Sequence, residues 1–207
     1  MARPAGDSRE KILNAARDLF GEKGVDATSI RAIARQAGVN LGMIHYFFQT
    51  KDNLVDAVLE RYFKNVGAAL ESVPADADPR QRLAAAITGI VKYLQNNQQV
   101  VRIVIREYSV GSLRLQRIAQ QYMGPNFGRL ALIVAEGIGR GQFKALDVRF
   151  LAMVTLGMMI HPFMASPLLS QFLDLDFTSE DFADTLTTVI HTVLFKGIER
   201  RIPRVKS

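Results

Sequence analysis

A chain of 207 residues is long enough to bury a hydrophobic core without metal ions or disulfide bonds. The absence of cysteine excludes a disulfide framework, a thiolate metal site and a cysteine nucleophile. Lys and Arg number 26 against 20 Asp and Glu, a formal charge of +6 that suits binding to polyanions but fits many enzymes equally well.

Neither the N-terminal segment nor the longest apolar stretch indicates a membrane protein. The N-terminal segment, MARPAGDSREK, lacks the apolar run of a signal peptide. The longest apolar stretch, residues 150–165, is interrupted by Thr155, His161 and Pro162 and is shorter than the ~20 residues that a spanning helix needs. We therefore expect a cytoplasmic protein with no membrane partner.

Apolar residues recur at helical spacing from the start of the chain. The first helix shows this spacing at five positions: Ile12, Ala15, Ala16, Leu19 and Phe20. Asp7 or Ser8 is expected to cap its start, and Gly24 is expected to end it in a left-handed conformation. Thr28 is expected to cap a second, short helix that ends near Gly38.

A third helix is expected after Asn40, and a fourth runs from a Thr50 cap to about Leu70. The sequence SVPADADP, residues 72–79, then marks a linker. Further helices are expected at roughly 79–97, 98–110, 112–123, 125–139, 147–165 and 178–200. No strand pattern accompanies them, so the prediction is an all-α fold with an N-terminal domain over 1–71 and a larger helical bundle over 72–207.

Residues 29–48 show the helix-turn-helix pattern of two short helices joined by a three- or four-residue turn. The inner positions, expected to share a core with the first helix, are Ile33, Ala34, Val39, Ile44 and Phe48. The second helix, at about 40–47, then presents five residues outward: Asn40, Leu41, Gly42, His45 and Tyr46. Those are the residues that a DNA groove would meet.

This segment resembles the DNA-binding domain of the TetR/AcrR family of bacterial transcriptional regulators. The resemblance covers about residues 8–63 and rests on SREKILNAARDLFGEKGVDATSIRAIARQAGV followed by GMIHYFFQTKDNL. It implies a homodimeric repressor of a palindromic double-stranded DNA operator. It also implies a C-terminal domain for dimerisation and for binding a small effector that releases the DNA.

By position, the resemblance implies operator contacts by six residues: Thr28, Gly42, His45, Tyr46, Phe47 and Lys51. Ser29, Asn40 and Leu41 complete the predicted DNA-binding set. Thr28 and Lys51 lie near helix N-termini, where free N–H groups favour phosphate, and Lys51 adds a mobile positive charge. Leu41 stands where the family often has Lys, which indicates either thymine-methyl packing or looser base readout.

Methionine and aromatic residues in the C-terminal half indicate an apolar pocket between helices. The predicted lining is Tyr108, Met123, Phe127, Met153, Met158 and His161. Residues of this kind more often form ordinary hydrophobic core, so a ligand pocket and a packed core both remain open as interpretations. The corresponding effector would be small and apolar or amphipathic.

The last helix has an outer surface poor in charge, which favours a dimer interface over a helix that only covers the core. The predicted interface residues are Phe182, Leu186, Val189, Ile190 and Val193. The three histidines are too far apart in sequence for helical pairing, so neither a metal site nor a cofactor is expected. The basic tail, KGIERRIPRVKS, is interpreted as a solvated end, with a nucleic-acid contact as the alternative.

A ligand-responsive repressor without enzymatic activity is thus the prediction. The first alternative is a ligand-dependent activator or co-repressor-type regulator of the same fold. The second is a helical enzyme or carrier, which should show a polar catalytic cluster that the sequence does not indicate.

Overall fold

The computed structural model describes residues 5–71 and 76–198. Within these ranges the chain forms nine α-helices and no strand: α1 Ala5–Lys23, α2 Ile30–Ala37, α3 Leu41–Phe48, α4 Lys51–Glu71, α5 Pro79–Asn96, α6 Gln98–Ser109, α7 Leu113–Gly139, α8 Val148–Leu169 and α9 Glu180–Ile198. The all-α prediction is confirmed. Half of the predicted linker, residues 72–75, and the basic tail from residue 199 onward lie outside the described residues.

The chain forms two compact units. The first consists of the chain up to Asn65 together with Asn97–Met123, and the second of Val66–Asn96 together with the chain from Gly124. The predicted functional boundary at residue 72 stays a prediction. As a packed body, however, the first unit also contains α6 and the beginning of α7.

Helix α6 joins the first unit because it crosses α1 at very short range. At Gly21 of α1, a Cβ would lie 2.7 Å from both the backbone oxygen and the Cβ of Gln99 in α6. Close by, Arg106 Nη1 donates a hydrogen bond of 3.0 Å to the Phe20 carbonyl, which also accepts from the Gly24 N–H at the end of α1. All five residues predicted for the inner face of α1 are buried, which confirms that prediction.

The predicted ends of α1 are half right. Gly24 adopts φ +91° and its N–H donates to the Phe20 carbonyl, as expected of a left-handed stop. Asp7 and Ser8 both lie inside the helix, so the predicted N-cap is wrong. Asp7 instead pairs with Lys11 one turn later at 2.5 Å, and Ser8 is buried.

The predicted break at Gly124 and Pro125 is also wrong, because α7 continues through both residues. A proline inside a helix removes one backbone hydrogen bond and costs about 3 kcal/mol. Buried apolar residues hold the helix on either side of it: Leu115 and Ile118 before, Ile133 and Val134 after. Tertiary packing therefore outweighs the local preference.

In the second unit, α5 packs against α8 and α9. Helix α8 passes through Pro162 and Pro167 and ends at Leu169, beyond the predicted end at 165. Helix α9 starts at Glu180, where the Ser179 hydroxyl accepts a hydrogen bond of 3.1 Å from the Phe182 N–H. An aromatic cluster joins the two helices, since the Phe163 and Phe182 ring centroids are 5.9 Å apart.

Helix α8 is long and apolar enough to cross a membrane by length and composition alone, and only a small share of it is buried within the chain. Helices of soluble proteins meet the same criterion. Its exposed apolar residues include Phe150, Met153, Val154 and Leu168. An exposed apolar face of this kind calls for a partner surface.

Candidate DNA interface

The two short helices α2 and α3 are fixed by side-chain caps and a glycine turn. The Ser29 hydroxyl accepts a 3.1 Å hydrogen bond from the Ala32 N–H, and Asn40 Oδ1 accepts a 2.9 Å bond from the Met43 N–H. Between the helices, Gly38 takes φ +64°, which costs a residue without a Cβ little. The predicted helix-turn-helix is confirmed.

The inner faces of both helices pack against α1, as predicted. Ile33, Ala34, Ile44 and Phe48 are buried, whereas Val39 in the turn is only half-buried. Because α1 contacts both α2 and α3, it holds the pair at a fixed orientation. The outer surface of α3 is therefore presented on a rigid support.

Five residues share that outer surface and are all exposed, as the helical spacing predicted: Asn40, Leu41, Gly42, His45 and Tyr46 (the α3 face). Tyr46 is 79% exposed, and its ring meets the half-buried Phe47 ring edge-on at 5.1 Å. His45 Nδ1 lies 3.2 Å from the Gln49 carbonyl, which can only accept, so this nitrogen carries the proton. Whether these residues contact DNA stays a prediction.

Thr28 has a different role from the predicted one. Its side chain is buried, and its hydroxyl donates to the carbonyls of Gly24 at 2.7 Å and Leu19 at 3.2 Å. It therefore neither caps α2, which Ser29 does, nor presents its side chain to DNA. Instead it fixes the turn between α1 and α2.

Lys51 is bound to the same turn. Its Nζ donates to the Val25 carbonyl at 3.0 Å and to the Thr28 carbonyl at 3.3 Å. An ammonium group has three donors, so one N–H remains for a phosphate. The prediction of a mobile charge is corrected: Lys51 is a half-buried charge held at the start of α4.

Two exposed arginines of α2 were missed by the sequence interpretation. Arg31 and Arg35 lie one helical turn apart, away from the buried Ile33 and Ala34, and neither has an ion-pair partner among the residues that the structure describes. Unpaired arginines beside a helix-turn-helix favour contact with phosphate. Their four-residue spacing opposite the buried face would have identified them.

Arginines of α7 form ion pairs with acidic residues of α4. Arg114 Nε lies 2.7 Å from Asp56 Oδ1, Arg117 Nη2 lies 2.5 Å from Asp56 Oδ2, and Arg114 also pairs with Asp52. Pairing reduces the negative potential that these carboxylates would present to a phosphate backbone.

The predicted effector-pocket residues are distributed over both compact units. Tyr108 and Met123 belong to the first, and Phe127, Met153, Met158 and His161 to the second. Tyr108, Met153 and His161 are exposed, so within their own units they do not line an enclosed cavity. On α8 the inward positions are occupied by Met159 and Phe163, which turns Met153 and His161 outward. Met123, Phe127 and Met158 are half-buried and remain a proposal.

The predicted dimer residues of α9 differ in their burial. Ile190 is buried in the core of its own chain, so its assignment to an interface is corrected. Phe182 and Leu186 are half-buried, while Val189 and Val193 are exposed. The exposed apolar residues of α8 were missed, because a continuously apolar helix does not reveal which side is inward.

Comparison with known proteins agrees with this geometry. Residues 12–58 match the bacterial regulatory proteins of the tetR family, and residues 79–198 match the C-terminal domain of the HTH-type transcriptional dual regulator CecR. The chain is 25% identical over 169 residues to the probable HTH-type transcriptional regulator YttP of Bacillus subtilis, covering 80% of this chain and 82% of YttP. It is 29% identical over 145 residues to the HTH-type transcriptional repressor KstR2 of Rhodococcus jostii, covering 68% and 70%.

The fold matches solved structures over nearly the whole chain. The transcriptional regulator FadR of Bacillus subtilis, solved in complex with stearoyl-CoA, superposes with a TM-score of 0.74 at 22% identity, covering 92% of this chain and 99% of FadR. The match to the CecR C-terminal domain alone spans more than half of the chain. Together with the N-terminal match, it establishes that the chain belongs to the TetR family of bacterial transcriptional regulators.

Proposed function

We propose that this protein is a dimeric repressor that binds a palindromic operator through the α3 face and leaves it when a small effector binds. The observation that carries the proposal is the α3 face itself. It is exposed on a capped helix braced by α1, and the neighbouring helix α2 carries the exposed Arg31 and Arg35. Rigid presentation, exposure and positive charge are the three requirements for reading a duplex.

Selection from a pool of random-sequence duplexes tests the proposal. The full-length protein should enrich two inverted half-sites centred one or a few helical turns apart, at ~34 Å per turn. Sequence-specific binding of this kind distinguishes a regulator from a helical enzyme or carrier with an inert N-terminal motif. A bound pool without a common sequence would contradict the regulator proposal and favour that alternative.

An apolar chain or ring system with a polar end is the proposed effector class. Two named relatives support it: the FadR structure contains stearoyl-CoA, and a solved KstR2 from Mycobacterium tuberculosis is described as a ketosteroid transcriptional regulator. In this chain, half-buried Met158 and Phe127 provide adaptable apolar surface in the second unit. A coupling free energy of about 1–3 kcal/mol would weaken operator binding about 5- to 150-fold.

Stearoyl-CoA, titrated into the protein bound to its selected duplex, provides a direct probe of this class. Release of the duplex supports effector-induced derepression. Tighter binding instead identifies the co-repressor-type alternative. An unchanged affinity for the duplex excludes long-chain acyl-CoA as the effector.

The exposed apolar faces of α8 and α9 are proposed to bind a second copy of this chain. Two aspartates in the double variant Val189→Asp, Val193→Asp would bury charge in an apolar interface, so the variant should be monomeric. The control is Leu132→Asp on α7, an apolar residue that is also more than half exposed and that should leave the dimer intact.

Light scattering after size-exclusion chromatography without detergent measures both variants. The wild-type protein and the Leu132 variant should have twice the chain mass. A wild-type monomer would contradict the dimer. A wild-type protein that remains in solution only with detergent would instead point to a lipid partner for α8.

A further inference from the structure

The side chains of α3 leave little capacity for polar base recognition. The helix reads LGMIHYFF and contains none of the arginine, lysine or glutamine side chains that make paired hydrogen bonds to guanine or adenine. Only Asn40, at the cap, belongs to that class. The base readout of this helix must therefore depend on other chemistry.

The polar atoms on the α3 face are partly committed to the protein itself. Asn40 Oδ1 accepts from the Met43 N–H at 2.9 Å, so the capping bond already uses one of the two lone pairs of this oxygen and holds the amide in place. His45 Nδ1 donates to the Gln49 carbonyl, which leaves one ring nitrogen for DNA. The protein itself thus uses one hydrogen-bonding position on each of these two residues, which reduces their capacity for polar base readout.

Leu41 is the large aliphatic side chain of this face, and it stays 36% exposed in the first turn of α3. Its neighbour Gly42 presents no side chain to a groove. In the major groove, the apolar group that such a side chain can meet is the C5-methyl of thymine. The exposed Arg31 and Arg35 of α2, which packs against α3, favour a duplex over an apolar peptide as the occupant.

Resting on the proposed function, we propose that Leu41 reads thymine methyl groups in the operator half-site. Packing of the Leu41 side chain against a thymine methyl removes both groups from water. Removing that one methyl from the DNA should therefore weaken binding about fourfold. Each half-site bound by this protein should therefore contain a thymine whose replacement by an unmethylated pyrimidine lowers the affinity.

Deoxyuridine provides the test, because it removes only the methyl and keeps the hydrogen-bonding edge of thymine. Each thymine of the selected half-site is replaced in turn, and the affinity of the full-length protein is measured. We expect about fourfold weaker binding when the critical thymine is changed in one half-site, and about fifteenfold when it is changed in both. Thymines outside the half-sites should show no effect.

Protein variants assign the effect to Leu41. Leu41→Ala should bind the thymine and deoxyuridine duplexes equally, whereas Leu41→Met, which keeps an apolar chain, should still discriminate. Discrimination retained by Leu41→Ala, or absent from the wild type at every thymine, would overturn the assignment while leaving the regulator proposal intact. If selection enriches no sequence at all, both proposals fail.

Discussion

Gly137→Ala is expected to destabilise the second compact unit by roughly 2–3 kcal/mol. A Cβ at this position would lie 2.3 Å from Cδ2 and 2.4 Å from Cε2 of Phe143. That ring is buried in the core, so moving it would displace closely packed neighbours. The clash therefore outweighs the gain of about 1 kcal/mol that alanine normally brings to a helix.

Gly128→Ala is the matched control, because it lies in the same helix and the same unit but has nothing within 4 Å of its Cβ. This variant should be unchanged or up to about 1 kcal/mol more stable. Urea-induced unfolding followed by circular dichroism measures both. Equal stability of the two variants would show that Phe143 does not pack against Gly137.

Gly21→Ala is expected to destabilise the first unit by at least about 3 kcal/mol, near the upper end for overpacking, because one obstructing atom is backbone. The backbone oxygen of Gln99 lies 2.7 Å from the position of the new Cβ, so α1 and α6 must separate. Since α1 also braces α2 and α3, operator affinity should fall together with stability.

Two comparisons isolate the cause of this loss. Gly6→Ala lies in the same helix with nothing within 4 Å of its Cβ and should have little effect on unfolding. Adding Gln99→Ala to Gly21→Ala should not restore stability, because the backbone oxygen and the Cβ of residue 99 remain. Full rescue by the second substitution would mean that only the flexible end of Gln99 obstructs Gly21.

Features set by nearby residues were predictable from the sequence. The inner face of α1, the Gly38 turn and the Thr50 cap all depend on contacts within a few residues, and each is observed. The exposed side of α3 followed from the same reasoning, because Ile44 and Phe48 define the buried side of a short helix.

Features set by distant contacts were not predictable. Thr28 and Ser29 are adjacent hydroxyl residues with similar capping preference, and the end of α1 decides which one is buried. Lys51 resembles a free surface charge until the carbonyls of the turn before α2 are placed around it. Pro125 reads as a helix break, because the packing that holds both halves of α7 comes from distant parts of the chain.

Contact between the α3 face and the operator is tested most directly by a matched pair of tyrosines. Tyr46 on α3 is 79% exposed and Tyr108 on α6 is 75% exposed, so neither contributes much to the core. Affinities of Tyr46→Ala and Tyr108→Ala for the selected duplex are compared with the wild type by fluorescence anisotropy. We expect Tyr46→Ala to bind at least about tenfold more weakly, corresponding to about 1.4 kcal/mol, and Tyr108→Ala to bind as the wild type does. Wild-type affinity in the Tyr46 variant would contradict contact between the α3 face and the operator.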